Sequence, residues 1–199
     1  MVQELQIDGT SAADEESAMA TTPNLSEWIR HDVLADGMRV LVRPLRPQDG
    51  ALYPDFIAHV TIEDTRLRFF APIRELSEQR IAELTRLDYA RAMAFIAIAE
   101  ATGEMLGVVR LHLDADSQGG EYAVIVRSAM KGHGLGWLLM RRMIDYARAI
   151  GLERIHGQVL TENTTMLRMC CDLGFHIGDD PSSRDIKVVT LELVEDTAQ

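Results

Sequence analysis

The sequence predicts an α/β domain with a mixed, mostly antiparallel sheet of about seven strands flanked by helices. Three apolar runs at residues 92–99, 104–113 and 121–127 follow one another across short turns and predict an antiparallel meander. A glycine-rich turn then leads into a helical pattern at residues 137–150, and another strand-like run follows at residues 154–160. Because a helix that connects two strands in this way forms a right-handed crossover, we expect those two strands to be parallel.

The first half of the chain is predicted to contain one strand and several short helices. Residues 38–45 alternate between apolar and polar side chains, which indicates a strand. Pro47 suits the first turn of a helix that runs to about His59. Residues 61–73 show no clean period and indicate a loop with a short helix. Ser77 has the side chain of an N-cap, so we expect a helix from there through Leu87.

The second half is predicted from turn residues and apolar periodicity. The pair Thr102-Gly103 is typical of a hairpin turn, and residues 114–120 form a polar turn before the third strand of the meander. Gly151 follows the long helix and is expected to end it. The remaining elements are a helix at residues 163–173 and strands at residues 175–177 and 186–193.

The chain is acidic, with a formal net charge of −11, and the acids are concentrated at its start. Residues 1–32 carry seven acids and one arginine, which predicts a flexible acidic extension over residues 1–27 and one folded domain over residues 28–199. The acidity argues against a nucleic-acid partner and is compatible with a cationic substrate.

Membrane and metal partners are not expected either. No apolar run approaches the length of a membrane span, and the N-terminus has no signal-peptide pattern, so we expect a cytoplasmic protein. The only cysteines, Cys170 and Cys171, are adjacent and do not have metal-ligand spacing, so we expect no bound metal.

The glycine-rich turn from Lys131 to Gly136 is the most informative segment. A turn of this kind between a strand and a helix leaves backbone N–H groups free at the helix N-terminus, where they bind anions and most often phosphate. The turn has no Gly-Lys-Ser/Thr, which excludes a nucleoside-triphosphate loop. The third glycine of a dinucleotide fingerprint is also missing, since Trp137 or Leu139 occupies its position.

The remaining pattern, Lys131-x-x-Gly134-x-Gly136, resembles the Gln/Arg-x-x-Gly-x-Gly/Ala signature of the GNAT acyl-CoA N-acyltransferases, with lysine at the first position. The segments Val159–Asn163 and Leu173–Phe175 are also similar to family segments that open and close a helix. The resemblance implies the GNAT fold, acetyl-CoA as cosubstrate, and loop amides that hold its pyrophosphate. It implies the following cofactor-binding residues: Val124, Ile125, Val126, Lys131, Gly132, His133, Gly134, Leu135, Gly136, Trp137, Asn163 and Met166.

Five segments look like one branch of this family, the acetyltransferase domain of bacterial protein lysine acetyltransferases. They are residues 42–49, 68–72, 86–89, 120–127 and 163–168. That branch modifies acyl-CoA synthetases and related enzymes. The resemblance therefore implies a protein substrate with a reactive lysine, such as an acyl-CoA synthetase, and we expect a monomer or homodimer.

Acyl transfer to lysine requires a base, because an amine with a pKa near 10.4 is almost fully protonated at neutral pH. Glu121 begins the strand that leads into the glycine loop, and the resemblance implies that it is the catalytic base. The alternative interpretation is a solvated charge at the start of a strand. The resemblance also implies that a backbone N–H within residues 124–126 binds the oxyanion.

Two side chains have alternative interpretations. Many GNAT enzymes place a tyrosine proton donor where this chain has Cys170, and we expect Cys170 to be a small buried helix residue instead. A coenzyme-A thiolate with an ordinary thiol pKa needs no specific acid in order to leave. Asn163 is predicted either to bind the pantetheine chain or to cap the helix that follows, and one residue can do both.

Other polar residues are considered as site candidates without an identified partner. His133 is expected to be exposed on the loop, whereas His112 and His156 fall within strand patterns. Three acids are expected at a solvated surface, although each would present negative charge to an incoming lysine if it lay near the site: Glu63, Asp64 and Asp88.

Two alternative functions remain open. One is a GNAT enzyme that acylates a small-molecule amine. The other is a non-catalytic acyl-CoA sensor, which would have no need of a base at Glu121.

Overall fold

Eight strands and five α-helices are formed by residues 24–194, which are the residues described by the computed structural model. The strands are β1 (Arg30–Val33), β2 (Arg39–Pro44), β3 (Ala92–Ala99), β4 (Met105–Leu113), β5 (Gly119–Val126), β6 (Arg154–Leu160), β7 (His176–Asp180) and β8 (Ser183–Glu192). The helices are α1 (Tyr53–Ala58), α2 (Ile62–Phe69), α3 (Glu78–Thr85), α4 (Leu135–Ala149) and α5 (Thr164–Asp172). Most of the predicted acidic extension lies outside the described residues.

The strands form one sheet in the order β1-β2-β3-β4-β5-β6-β8-β7. Every neighbouring pair is antiparallel except β5 and β6, which are parallel and joined by α4. The predicted mixed sheet is therefore confirmed, with eight strands. The additional strand is β1, whose side chains are mostly exposed, so its sequence has no buried alternation that would indicate a strand.

The helix predicted from Pro47 to His59 is divided into two elements. Residues Pro47–Leu52 form a 3-10 helix, and α1 begins at Tyr53. Pro54 has no N–H group to continue α-helical bonding from the preceding turn, which accounts for the change of helix type. The predicted N-cap at Ser77 is confirmed, because its hydroxyl accepts a hydrogen bond from the N–H of Arg80.

The core lies on both faces of the sheet. The larger cluster packs α4 against the sheet through fully buried residues such as Leu139 and Met143, and the smaller cluster packs α1 through Phe56. A 3-10 helix at Leu25–Trp28 also contacts the larger cluster. Among residues 24–194, no helix is long and apolar enough to cross a membrane.

Candidate active site

A cavity of about 540 Å³ lies where β5 and β6 diverge, between α2 on one side and α4 and α5 on the other. Most of the predicted site residues line it: Glu121, Val124, Ile125, Val126, Lys131, Gly132, Gly134, Gly136, Trp137, Asn163 and Met166. The structure therefore brings together residues from two strands, the glycine loop and the start of α5. Predicted residues His133 and Leu135 do not line the cavity.

The opening between β5 and β6 results from their short pairing. Their last residue pair is Glu121 with His156, whereas β5 continues to Val126 and β6 to Leu160. Beyond that pair, the two strands bond only to their outer neighbours, β4 and β8. The facing edges thus have free backbone groups along the wall of the cavity, which an extended amide-containing chain can use.

The direction of the free N–H groups follows from the β4–β5 pairing. The N–H of Arg127 donates to the carbonyl oxygen of Leu106 on the β4 side, at 2.8 Å. Because backbone groups alternate between the two edges of a strand, the N–H of Ile125 is also directed to β4. The N–H groups of Val124 and Val126 are directed into the opening. The predicted oxyanion segment thus offers two cavity-facing donors.

The glycine loop has the properties of an anion site. Gly132 and Gly134 have φ angles of +81° and +85°, and no atom lies within 4 Å of where a β-carbon would stand on either residue. Gly134 begins α4 without a side-chain cap. The N–H groups of Leu135, Gly136 and Trp137 consequently have no acceptor within the helix. This uncapped helix N-terminus beside open space fits a pyrophosphate group.

The side chains of His133 and Leu135, which do not line the cavity, make contacts elsewhere. His133 bonds through Nδ1 to the Asp36 carboxylate at 2.7 Å, which connects the loop to the β1–β2 turn. Leu135 is fully buried in the core. Leu135 therefore offers only its backbone groups to a ligand in the loop, whereas the His133 side chain pairs with Asp36 and is partly exposed.

Lys131 forms an ion pair with Asp64 of α2, and Asp64 also accepts a hydrogen bond from Ser128. Burial raises the pKa of the Asp64 carboxyl, but these hydrogen bonds outweigh burial and lower the pKa below its ordinary value. Asp64 is 8% exposed, so the expectation that it lies at a solvated surface is wrong. The carboxylate instead ties the glycine loop to α2.

Asn163 caps α5, since its Oδ1 accepts a hydrogen bond from the N–H of Met166 at 3.2 Å. The same side chain lines the cavity. Its Nδ2 group donates to no acceptor among residues 24–194. Capping and pantetheine binding are therefore compatible, as the sequence predicted.

Glu121 has an exposed side chain on the face of the sheet that α1 to α3 partly cover. Two histidines flank it across the sheet, His112 on β4 and His156 on β6. His156 has a partner that sequence reasoning missed, because its Nε2 lies 3.0 Å from Asp114. Burial, with a smaller effect of Arg110, lowers the pKa of His112.

Two arginines near Glu121 were not predicted as site residues. Arg68 lines the cavity, and the buried side chain of Arg110 projects from β4. Burial lowers the pKa of Arg68 to about 10, with a further contribution from Arg110, while Glu121 acts in the opposite direction. A charged residue within the apolar run of residues 105–113 was the available sequence signal for Arg110.

Cys170 is fully buried and its Sγ lies 3.1 Å from the hydroxyl of Tyr122. Burial raises the pKa of the Cys170 thiol. The expectation of a small buried helix residue at this position is confirmed. The thiol does not line the cavity, so nothing places it at the leaving group.

Residues 60–175, more than half of the chain, match the model of the acetyltransferase (GNAT) family. The chain therefore belongs to this family, and the predicted fold and enzyme class are confirmed. Among residues 24–194, there is no group of three or more side chains arranged to hold a metal ion.

More specific similarities extend over most of the chain. It is 33% identical to an acetyltransferase of Pseudomonas aeruginosa over 171 residues, which cover 85% of this chain and 90% of the relative. The solved GNAT domain of PAT from S. lividans is 26% identical, with a TM-score of 0.78, 84% of this chain covered and 98% of that domain. A Salmonella typhimurium acetyltransferase solved with acetyl-CoA is 19% identical, with a TM-score of 0.61. The match covers 80% of this chain and 96% of that protein.

Proposed function

We propose that the protein transfers an acetyl group from acetyl-CoA directly to a lysine side-chain amine of a protein, with Glu121 as general base. The observation that carries the proposal is the position of Glu121, at the last β5–β6 pair and on the wall of the cavity beside the two free N–H groups of β5. The likeness to the S. lividans PAT domain supports a protein acceptor. An acyl-CoA synthetase or similar metabolic enzyme in the cytoplasm is the proposed substrate.

The donor would be held by two sets of backbone groups. The uncapped N–H groups of Leu135, Gly136 and Trp137 suit the pyrophosphate, and the diverging edges of β5 and β6 suit the amide chain of pantetheine. The Asn163 side-chain amide adds a further donor at the same wall. These contacts would place the thioester near Glu121, at the point where the strands separate.

Each step of the transfer has a group available. Glu121 accepts a proton from the lysine ammonium, and the neutral nitrogen attacks the thioester carbonyl carbon. The N–H of Val124 or Val126 donates to the oxygen that becomes negative. The C–S bond then breaks and the amide forms, while the second proton of the nitrogen passes to solvent water and the thiolate departs. The thiolate leaves without Cys170, since a thiol pKa near 8.5 makes it an acceptable leaving group.

The test is acetylation of purified acyl-CoA synthetase with labelled acetyl-CoA by wild-type, Glu121→Gln and Glu121→Ala proteins. Both substitutions should lower kcat at pH 7 by about 10²- to 10⁴-fold and leave coenzyme A affinity unchanged. Activity of the Gln variant should rise with pH, because more of the lysine is then neutral. A Glu121→Ala protein as fast as wild type would contradict the assignment of the base.

A wider screen separates the proposed acceptor from the alternatives. Mass spectrometry of lysate proteins after incubation with enzyme and labelled acetyl-CoA should show specific acetylated lysines. Turnover on small amines, but on no protein, would replace the proposal with a small-molecule acetyltransferase. Tight coenzyme A binding without turnover on any acceptor would indicate a sensor.

A further inference from the structure

We propose that Arg68 binds a carboxylate of the acceptor, so that the enzyme selects amines that carry an acidic group close to the reacting nitrogen. The inference rests on the proposed acetyl-transfer site and names the chemistry of its acceptor. Arg68 lies on α2 and lines the same cavity as Glu121.

The guanidinium of Arg68 has no acidic partner among the residues that the structure describes. Its Nε atom is buried and makes no hydrogen bond. Its central carbon lies 4.8 Å from the centre of the Phe69 ring, which is a cation–π contact. In contrast, Arg66 on the same helix pairs with both Glu63 and Glu162. The missing partner of Arg68 is therefore not a general property of arginines on α2.

A second guanidinium, that of Arg110, acts on Arg68. Arg110 is buried and donates to two neutral oxygens, the Leu84 carbonyl and the Tyr53 hydroxyl. Glu121 favours the charged form of Arg68. A guanidinium that lacks a carboxylate partner is a group with which an incoming anion could pair.

The arrangement matches a molecule with one amine and one carboxylate. An amine at Glu121 would lie beside the base, and a carboxylate at Arg68 would form a charge-assisted hydrogen bond inside the same cavity. Two sources have this chemistry: a lysine next to an acidic residue in a protein segment, and a free amino acid. Both would rely on the same unpaired guanidinium.

The experiment compares acceptors that differ only in the carboxylate. One arm uses five-residue peptides with a central lysine and a single aspartate at each other position in turn, each matched with the asparagine peptide. The second arm compares norleucine with pentylamine and lysine with cadaverine. Each compound is tested for turnover by release of free thiol, and for binding to the coenzyme-A-saturated protein by calorimetry, which reports even where turnover is absent.

Three variants identify the contribution of the guanidinium. Arg68→Gln removes the charge, and Arg68→Lys retains it. Arg80→Gln is the matched control, because Arg80 adds positive charge near Arg68 but pairs with Glu83 at the exposed surface. Wild type and Arg80→Gln should prefer the acidic member of at least one pair by about tenfold or more, mainly through KM. Arg68→Gln should lose the preference, and Arg68→Lys should retain part of it.

The outcomes separate this inference from the proposed function. Peptide acetylation with no acidic preference in turnover or binding would overturn the inference and leave the proposed function intact. Acidic preference among free amino acids, without acetylation of any peptide, would retain the inference and overturn the protein acceptor. A third outcome is that Arg68→Gln loses the same activity on acidic and neutral acceptors, with a rise in the pKa of the pH–rate profile. That result would mean that Arg68 lowers the pKa of the acceptor amine, and it would overturn carboxylate binding.

Discussion

Replacing Gly134 with alanine is predicted to weaken coenzyme A binding much more than it weakens the fold. Gly134 has a φ of +85° and begins α4, and no atom lies within 4 Å of the added methyl position. The cost to stability is therefore backbone strain alone, about 1–2 kcal/mol for a non-glycine residue in the left-handed region. For a chain of this size, that corresponds to a fall in Tm of about 2–8 °C.

The effect on binding comes from the direction of the first N–H groups of α4. If the loop relaxes from the left-handed conformation, those donors no longer converge on one anion. A hydrogen bond to a charged group contributes about 1.5–3 kcal/mol, so the loss of one donor would weaken coenzyme A binding about 10- to 100-fold. Calorimetric titration with coenzyme A measures this change directly.

A matched control separates strain from ligand binding. Gly103 lies in the β3–β4 hairpin with a φ of +75° and the same open surroundings, and it does not line the cavity. Gly103→Ala should lower Tm by a similar amount and leave coenzyme A affinity unchanged. Equal coenzyme A affinity in the Gly134→Ala and Gly103→Ala proteins would refute the assignment of the loop.

Three further substitutions test other parts of the structure. Because the pKa of Asp64 is lowered in the folded state, its ionised form stabilises the fold at neutral pH, and this contribution is lost in acid. Asp64→Asn should therefore have a lower Tm than wild type at pH 7, and the difference in Tm should narrow below about pH 4. Cys170→Ala leaves the Tyr122 hydroxyl without its partner, so the free energy of unfolding measured with denaturant should fall by about 1–3 kcal/mol while kcat is unchanged. A large loss of kcat in a folded Cys170→Ala protein would indicate that Cys170 is the proton donor after all. Gly107→Ala places a methyl group 2.9 Å from Val126 Cγ1 and 3.2 Å from a backbone oxygen. The free energy of unfolding should therefore fall by about 1–3 kcal/mol, which thermal unfolding measures. An unchanged Tm would contradict this close packing.

The elements that periodicity predicted were those with one clearly buried face. Strand β3 and strand β6 have the predicted bounds, and α4 begins two residues earlier than expected. The missed strand β1 is mostly exposed, so its pairing with β2 depends on backbone bonds that leave no pattern in the sequence. The division of the first predicted helix follows from Pro54, which was visible in the sequence but was not used as a helix boundary.

The candidate site was predictable where it depends on local backbone structure. The glycine loop and the Asn163 cap follow from residues that are adjacent in the chain. The partners of the site's side chains could not be predicted, because they come from distant segments of the chain. Lys131 and Asp64, for example, are separated by 67 positions. Family resemblance supplied Glu121, and only the fold shows that two histidines flank it.

Two guanidinium groups lie near the proposed base, although the chain as a whole is acidic. The net charge of −11 suggested a cationic substrate, yet Arg68 and Arg110 both lie near Glu121. Charges further away than about 8–10 Å are largely screened in physiological salt, so these two guanidiniums outweigh the distant surface acids. A like charge also disfavours the protonated form of a neighbouring amine. The same pair of cations would thus assist deprotonation by Glu121 and require a compensating anion on the acceptor, which is why the carboxylate comparison tests the site more sharply than overall charge does.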